Sequence, residues 1–237
     1  MKYKNKDLLD LYKLKVEEHW YTMFNPILEY LGDIRGKKIL DIGCGSGELT
    51  NELSKKAKLV VGVDFSQEWI DYCRGKYTNK NLNFIKAKAS NLRSFKNDYF
   101  DIVVMNMVLP NIETAGDVKK TFEEIGRVIK KSGVFIFSDL HPLCIMAAEE
   151  GNRKQKYSKN FSYFKNGAEF SALVKIAGKE IEFKNNHWTF DFCTDILNKE
   201  GIYINKIIES SYPKNAPKKF YQYSYPEYII FCCKKRP

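Results

Sequence analysis

KKILDIGCGSGELT, residues 37–50, decides how this chain is read. A short apolar run carries Asp41 near its end. Gly43, Gly45 and Gly47 then stand at every second position, and a helix-like stretch, ELTNELSKKA, follows. Glycine in such a turn permits positive φ and lets a ligand approach the backbone closely. A helix starting behind it presents unpaired N–H groups to anionic atoms. The stretch reads as strand, ligand-holding turn and helix, the unit found at the carboxyl ends of strands in open α/β sheets.

The pattern repeats downstream. KLVVGVDF reads as a strand rich in valine. SQEWIDYCRGKY reads as a helix with Ser66 as its N-cap and Glu68 in its first turn. LNFIKAKA and FDIVVMNMV are further strands. DVKKTFEEIGRVIKKSG is an amphipathic helix starting near Asp117 and ending before Gly133, and VFIFSDL is a strand. The strands are nearly continuous apolar runs, as strands buried on both faces should be. Strand–helix alternation at this spacing predicts an α/β fold, a Rossmann-like, mostly parallel sheet with helices on both faces. TFDFCTDILNKEG, a helix ended by Gly201, and the strands YINKIIESS and EYIIFCCKK complete a seven-stranded sheet.

Two segments lie outside this alternation. Residues 7–31 read as helical, with Leu8, Leu11, Tyr12, Val16, Trp20 and Phe24 near a helical spacing. Pro26 interrupts them and opens a second helix, PILEYLG, closed by Gly32. Residues 141–188 are polar, aromatic and lysine-rich; within them FSALVKI and KEIEF flank Ala177-Gly178, a hairpin signal. The expected organisation is a helical cap (1–36), the core (37–140), a lid insertion lying over the edge of the sheet (141–188) and the rest of the sheet (189–237), one domain overall.

At 237 residues and 44% hydrophobic, the chain can bury a substantial core. No apolar run is long enough to span a bilayer, and the lysine-bearing N-terminus lacks an apolar signal core. It reads as cytoplasmic. The six cysteines match no zinc spacing and read as reduced thiols. His19, His141 and His187 are too scattered for an obvious metal site. The net charge of +10 raises the question of a nucleic-acid partner, but the lysines are spread over the whole length rather than gathered into a footprint.

The glycine turn separates two ligand types. A dinucleotide site wants G-x-G-x-x-G; here the spacing is G-x-G-x-G, and Glu48 would sit badly beside a pyrophosphate. An amino-acid end fits better, its ammonium facing an acceptor such as Asp41 or a backbone carbonyl and its carboxylate taking backbone N–H groups. Asp64 ends the second strand, where a carboxylate can accept both hydroxyls of a ribose. A ligand with an adenosine end and an amino-acid end has the anatomy of S-adenosylmethionine. The series KKILDIGCGSG, VVGVDFS, FDIVVMNMVLPNI and GVFIFSDLHP resembles the class I S-adenosylmethionine-dependent methyltransferases over about residues 37–142.

The resemblance implies S-adenosylmethionine as cofactor. It places Asp41, Gly43, Cys44, Gly45 and Gly47 around the methionyl end, Asp64 at the ribose and Phe65 on the adenine side. The family's adenine-binding acid aligns with Lys88, a departure that leaves Ala89 and Ser90 for this contact. Asn106 and Met107 end the fourth strand, beside the methyl group. The methyl group sits on a sulfonium, so catalysis needs mainly in-line placement and a dry site. The resemblance to family members with a His-Pro pair implies a small-molecule acceptor. His141 and His187 are candidate bases or substrate contacts, with Asn106 a third catalytic candidate; a ring that merely hydrogen-bonds the strand end is the alternative for His141. Tyr12, Trp20, Tyr21, Tyr163 and Phe164 are expected to cover the acceptor. Asn106-Met107-Val108-Leu109 lacks the Pro-Pro-aromatic motif of base-amino methyltransferases, which disfavours a nucleic-acid substrate. A non-catalytic cofactor-binding subunit is a third reading. Asn106 and Asp139 make an incomplete magnesium set, and no metal is expected. Oligomeric state is open.

Overall fold

A computed structural model describes residues 16–147, 149–150, 153–176, 179–210, 212–213, 216–217 and 224–237. In chain order the elements are α1 (Asn25–Leu31), β1 (Lys38–Ile42), α2 (Glu48–Ser54), β2 (Leu59–Asp64), α3 (Gln67–Lys76), β3 (Leu82–Lys86), β4 (Phe100–Asn106), α4 (Ala115–Val128), β5 (Ile129–Leu140), α5 (Pro142–Met146), β6 (Glu149–Glu150), β7 (Arg153–Tyr157), β8 (Ala168–Ile176), β9 (Lys179–His187), α6 (Phe190–Lys199), β10 (Ile202–Glu209) and β11 (Tyr228–Lys235). Seven strands make one sheet in the order β10-β11-β5-β4-β1-β2-β3. Its neighbours are parallel except β11, which runs antiparallel to β5 and β10.

On one face Phe122, Ile125 and Val128 of α4 and Leu197 of α6 pack on Leu40, Val103, Phe135 and Phe137. On the other, Leu49 and Leu53 of α2 and Met23 and Phe24 pack on Ile39, Val60, Ile102 and Val104. The helices after β1 and β4 thus leave to opposite faces, and a crevice opens between the carboxyl ends of these adjacent strands, the switch point at which such sheets bind ligands.

Ser66 caps α3 as its sequence predicts, its Oγ accepting from the Trp69 N–H at 3.3 Å. Three local readings change. The helical run at the N-terminal end passes through Pro26. Residues 16–19 are helical, Trp20–Phe24 form a π-turn in which the Asn25 N–H donates to the Trp20 carbonyl, and Pro26 sits in the first turn of α1. The wider turn accommodates a residue that has no N–H and would crowd the carbonyl four residues back.

The helix expected to reach Gly133 ends at Val128. Ile129 is extended (φ −79°, ψ 137°) and pairs with Phe100, and the ladder then slips before Ile102 meets Val134. Ser132 has φ 58°, and a Cβ on Gly133 would lie 2.6 Å from Ile129 Cγ1, so residues 129–133 make a tight irregular entry to the strand.

The insertion forms a second sheet, ordered β6-β7-β8-β9. The register of β8 and β9 brings Ile176 opposite Lys179, as a hairpin requires; the turn residues Ala177 and Gly178 lie outside the described residues. This sheet covers the carboxyl ends of β4 and β5 rather than the outer edge of the large sheet. Arg153 of β7 makes a buried ion pair with Glu227, just before β11. The Gln155 amide donates to the Cys144 carbonyl at 2.9 Å, the Tyr157 hydroxyl to that of Ile145 at 2.7 Å, and the Asn186 amide to that of Pro110 at 3.3 Å.

Candidate functional site

The turn after β1 has positive φ at Gly43 (68°), Gly45 (51°) and Gly47 (80°). The N–H groups of Gly43 and Cys44 donate to the Val63 carbonyl at 2.7 and 3.0 Å, tying the turn to β2. A Cβ on Gly43 would clash with Val108 Cγ2; one on Gly47 would meet Cys73 Sγ and Tyr77 Cε2, both at 2.8 Å. Gly47→Ala therefore combines backbone strain with overpacking and should lower stability by about 2–3 kcal/mol, read from chemical denaturation.

Two carboxylates frame this turn. Asp64 Oδ2 accepts the Gly45 N–H at 3.1 Å and Oδ1 the Ser66 N–H at 2.8 Å. Burial raises its pKa above the usual carboxylate value even though these hydrogen bonds pull the other way. Asp41 is buried, its Oδ2 accepting from the Thr50 hydroxyl at 2.6 Å, and burial pushes it up to about 7. A carboxyl poised there answers strongly to a cationic ligand group.

Asp41, Gly43, Cys44, Ser46, Glu48, Asn106 and Met107 line one cleft with Val16, His19, Met23 and Phe24, which closes it from the N-terminal side. The cleft is narrow in this structure, with about 40 Å³ of free volume. Asn106 Oδ1 accepts from the Ser138 hydroxyl at 3.2 Å, and Met107 adopts φ 51° with its N–H directed to the Ser138 carbonyl at 3.2 Å. Phe65 is 53% exposed beside Asp64, and Ala89 and Ser90 are half-buried in the loop after β3. Lys88 is exposed.

The N-terminal contribution differs from the expected one. Val16, His19 and Met23 face the cleft, whereas Trp20 and Tyr21 do not line it, because a helical repeat turns them aside. Trp20 packs edge-on against Phe24 at 5.2 Å. Tyr12 lies outside the described residues. His19, missed as a site residue from sequence, is signalled only by sharing the face of Val16 and Met23.

The two other histidines have different environments. His141 Nδ1 accepts the Leu143 N–H at 3.1 Å, capping α5, and Nε2 faces Glu209 Oε1 at 3.0 Å. Both ring nitrogens are engaged and the ring does not border the cleft, so the geometry gives His141 a capping role and no support as a base. His141→Ala should cost about 1 kcal/mol of stability and leave ligand affinity unchanged in a titration. His187 is buried, its Nε2 has no hydrogen-bond partner among the described residues, and its ring lies against Tyr163 at 4.5 Å. Desolvation lowers its pKa. Phe164, expected to cover the acceptor, is 88% exposed. Thr189 occupies the N-cap position of α6, but its hydroxyl bonds to Asn166 Oδ1 at 3.0 Å instead of capping the helix. Among the described residues no group of three or more His, Cys, Asp or Glu side chains is placed to hold a metal, and no helix is long and apolar enough to cross a membrane.

Known proteins carry the same arrangement. A family model described as a methyltransferase domain matches residues 40–137. An uncharacterised protein of Methanocaldococcus jannaschii is 30% identical over 205 residues, covering 84% of this chain and 76% of that protein. A ubiquinone biosynthesis O-methyltransferase of a Shewanella species is 27% identical over 154 residues, covering 58% of this chain and 64% of that enzyme. The chain spans about half the length of several other curated relatives it matches. An S-adenosylmethionine-dependent methyltransferase structure from Listeria monocytogenes superposes with a TM-score of 0.70 at 22% identity, covering 95% of this chain and all of that one. With the glycine turn, the paired carboxylates and the strand order together, residues 40–137 match a methyltransferase domain and the chain has the fold of the class I S-adenosylmethionine-dependent methyltransferases.

Proposed function

We propose that this protein transfers the methyl group of S-adenosylmethionine to a small-molecule acceptor, at oxygen or nitrogen, in a covered pocket. The observation that carries this reading is the second sheet, anchored to the segments after β4 and β5 and before β11 by Asn186, Gln155, Tyr157 and Arg153. A roof held this way excludes water from the transfer and leaves little room for a polymer. The small-molecule character of the Shewanella relative supports it.

The residues present fit the cofactor: a cradle that a Cβ would fill at Gly43 and Gly47, and two buried carboxylates beside it. In this reading Asp64 takes the ribose hydroxyls, Asp41 faces the ammonium, and Gly43 to Gly47 bring backbone N–H groups to the carboxylate. Phe65, Ala89 and Ser90 flank the adenine, and Asn106 and Met107 border the reacting carbon. When bound, S-adenosylmethionine supplies a methyl group on a sulfonium, an excellent leaving group. The chain's part is to orient the acceptor in line and keep the site dry.

Asp41 makes binding pH-dependent. A cationic ligand favours its ionised form, while the free protein holds the proton up to about pH 7. Affinity should therefore rise with pH and level off above 7, with binding at pH 5 weaker by up to about 100-fold. Titrations in buffers of different ionisation enthalpy should show proton release near pH 6; pH-independent binding would refute the placement.

The acceptor class is tested by incubating the protein with methyl-labelled S-adenosylmethionine and either a small-metabolite extract or total RNA. Label in the metabolite fraction is expected. Label in RNA would overturn the reading, and cofactor binding with transfer to neither would indicate a non-catalytic subunit.

A further inference from the structure

A second groove lies at the opposite end of the large sheet from the glycine turn, beside the amino ends of β1 and β4 and the entry to β5. It holds about 540 Å³ of free volume, the size of a small-ligand pocket. The strand register sets its floor. Ile39, Ile102, Val134, Lys234 and Tyr203 stand in one row across five strands. Ile102 and Val134 give the groove an apolar base, and Lys234 rises on the same face as Val134, because directly paired residues point the same way. This is the face on which α1 packs. Tyr30 and Leu31, in the last turn of α1, and residues 130–133, the irregular entry to β5, complete the lining with Lys37 and Asn205.

Four lysines border the groove: Lys37, Lys130, Lys131 and Lys234. Its two carboxylates are already taken. Asp33 is held by the Arg35 guanidinium at 2.7 to 3.1 Å. Asp101 Oδ1 accepts from Lys130 Nζ at 2.7 Å, and its Oδ2 accepts the Lys38 N–H at 2.8 Å. Two neighbouring lysines are committed as well. Lys38 Nζ lies 4.1 Å from the centre of the Tyr99 ring, and Lys235 Nζ donates to the Gly126 and Ile129 carbonyls. Lys37, Lys131 and Lys234 differ. All three are exposed, and among the described residues none has a carboxylate within ion-pair distance. The Tyr30 hydroxyl accepts from the Asn205 amide at 3.2 Å, which leaves its own proton to donate.

Like charges gathered round one opening repel one another, and an anion seated among them removes that repulsion. Three uncommitted ammonium groups match the roughly three negative charges of a terminal diphosphate at neutral pH. A single carboxylate would leave two of them unanswered. A nucleic-acid strand spreads its charge along a track, whereas these lysines surround one pocket.

We infer that this groove is a binding site for a small molecule carrying a diphosphate group, with Lys37, Lys131 and Lys234 on the phosphate oxygens. It shares no lining residue with the cofactor cleft, so the inference stands apart from the methyl-transfer reading.

The test is calorimetric titration of the full chain, at one fixed ionic strength, with uridine diphosphate, inorganic pyrophosphate, uridine and a short oligouridylate. The two diphosphates should bind saturably at one site, and uridine should not bind. Tighter binding of uridine diphosphate supports an organic diphosphate as the occupant, and equal binding of the two supports free pyrophosphate. Lys131→Gln combined with Lys234→Gln should weaken both diphosphates by at least about 10-fold. Lys80→Gln combined with Lys96→Gln removes the same charge from exposed positions outside the groove and should change either affinity by less than about twofold. Exposed substitutions of this kind leave the fold intact. Absence of saturable diphosphate binding, equal losses in the two double variants, uridine binding as tightly as its diphosphate, or oligouridylate binding more tightly than either diphosphate would overturn the inference.

Discussion

Asp64→Ala should weaken S-adenosylmethionine binding by about 100-fold or more, since charge-assisted hydrogen bonds to two hydroxyls are each worth about 1.5–3 kcal/mol. The carboxylate already holds the Gly45 and Ser66 N–H groups, so the variant also loosens the turn. Asp64→Asn separates the two effects. Its side-chain oxygen can keep one backbone contact, but it cannot accept two ribose hydroxyls as an anion. If the ribose placement is right, the asparagine variant melts near the parent and still loses most of its affinity. A calorimetric titration decides, and unchanged affinity in Asp64→Ala would remove the acid from the cofactor site.

Glu227→Ala should destabilise the fold by about 3–5 kcal/mol, because it breaks the buried ion pair with Arg153. Both side chains are almost wholly buried, and the pair joins the lid strand β7 to the start of β11. The Glu227 carbonyl also receives the His141 N–H at 3.0 Å, so the same residue fixes the segment after β5. In a chain of this size the loss should lower the melting temperature by roughly 10 °C. Replacing both partners by apolar residues, Arg153→Met with Glu227→Leu, should recover most of it, since neither charge is then stranded. A double variant as unstable as Glu227→Ala would show that the pair itself holds the lid.

The large sheet was legible because its strands are apolar on both faces and its turns carry their own chemistry. Leu59–Asp64 and Phe100–Asn106 read as buried strands from composition, and Ser66 reads as a cap from its place before a helical run. The strand β7 was not legible: in RKQKY the inward positions are Arg153 and Gln155, which bond to Glu227 and the Cys144 carbonyl from distant parts of the chain. The α4 boundary was missed because IKKSG continues a helical pattern, while pairing of Ile129 with Phe100 draws it into the sheet. The cofactor candidates stand at the ends of successive strands between Asp41 and Met107, whereas Tyr163 and His187 come together only through the folding of the second sheet. His19 shows the same limit. A lone histidine beside Trp20 carries no signal until a helix turns it into the cleft.

The central claim is that the glycine turn and its two acids hold S-adenosylmethionine. Its most direct test is calorimetric titration of the purified protein with S-adenosylmethionine and, separately, with NAD. Saturable one-site binding of S-adenosylmethionine alone is the expected result. Binding of NAD, or of neither, would contradict the account.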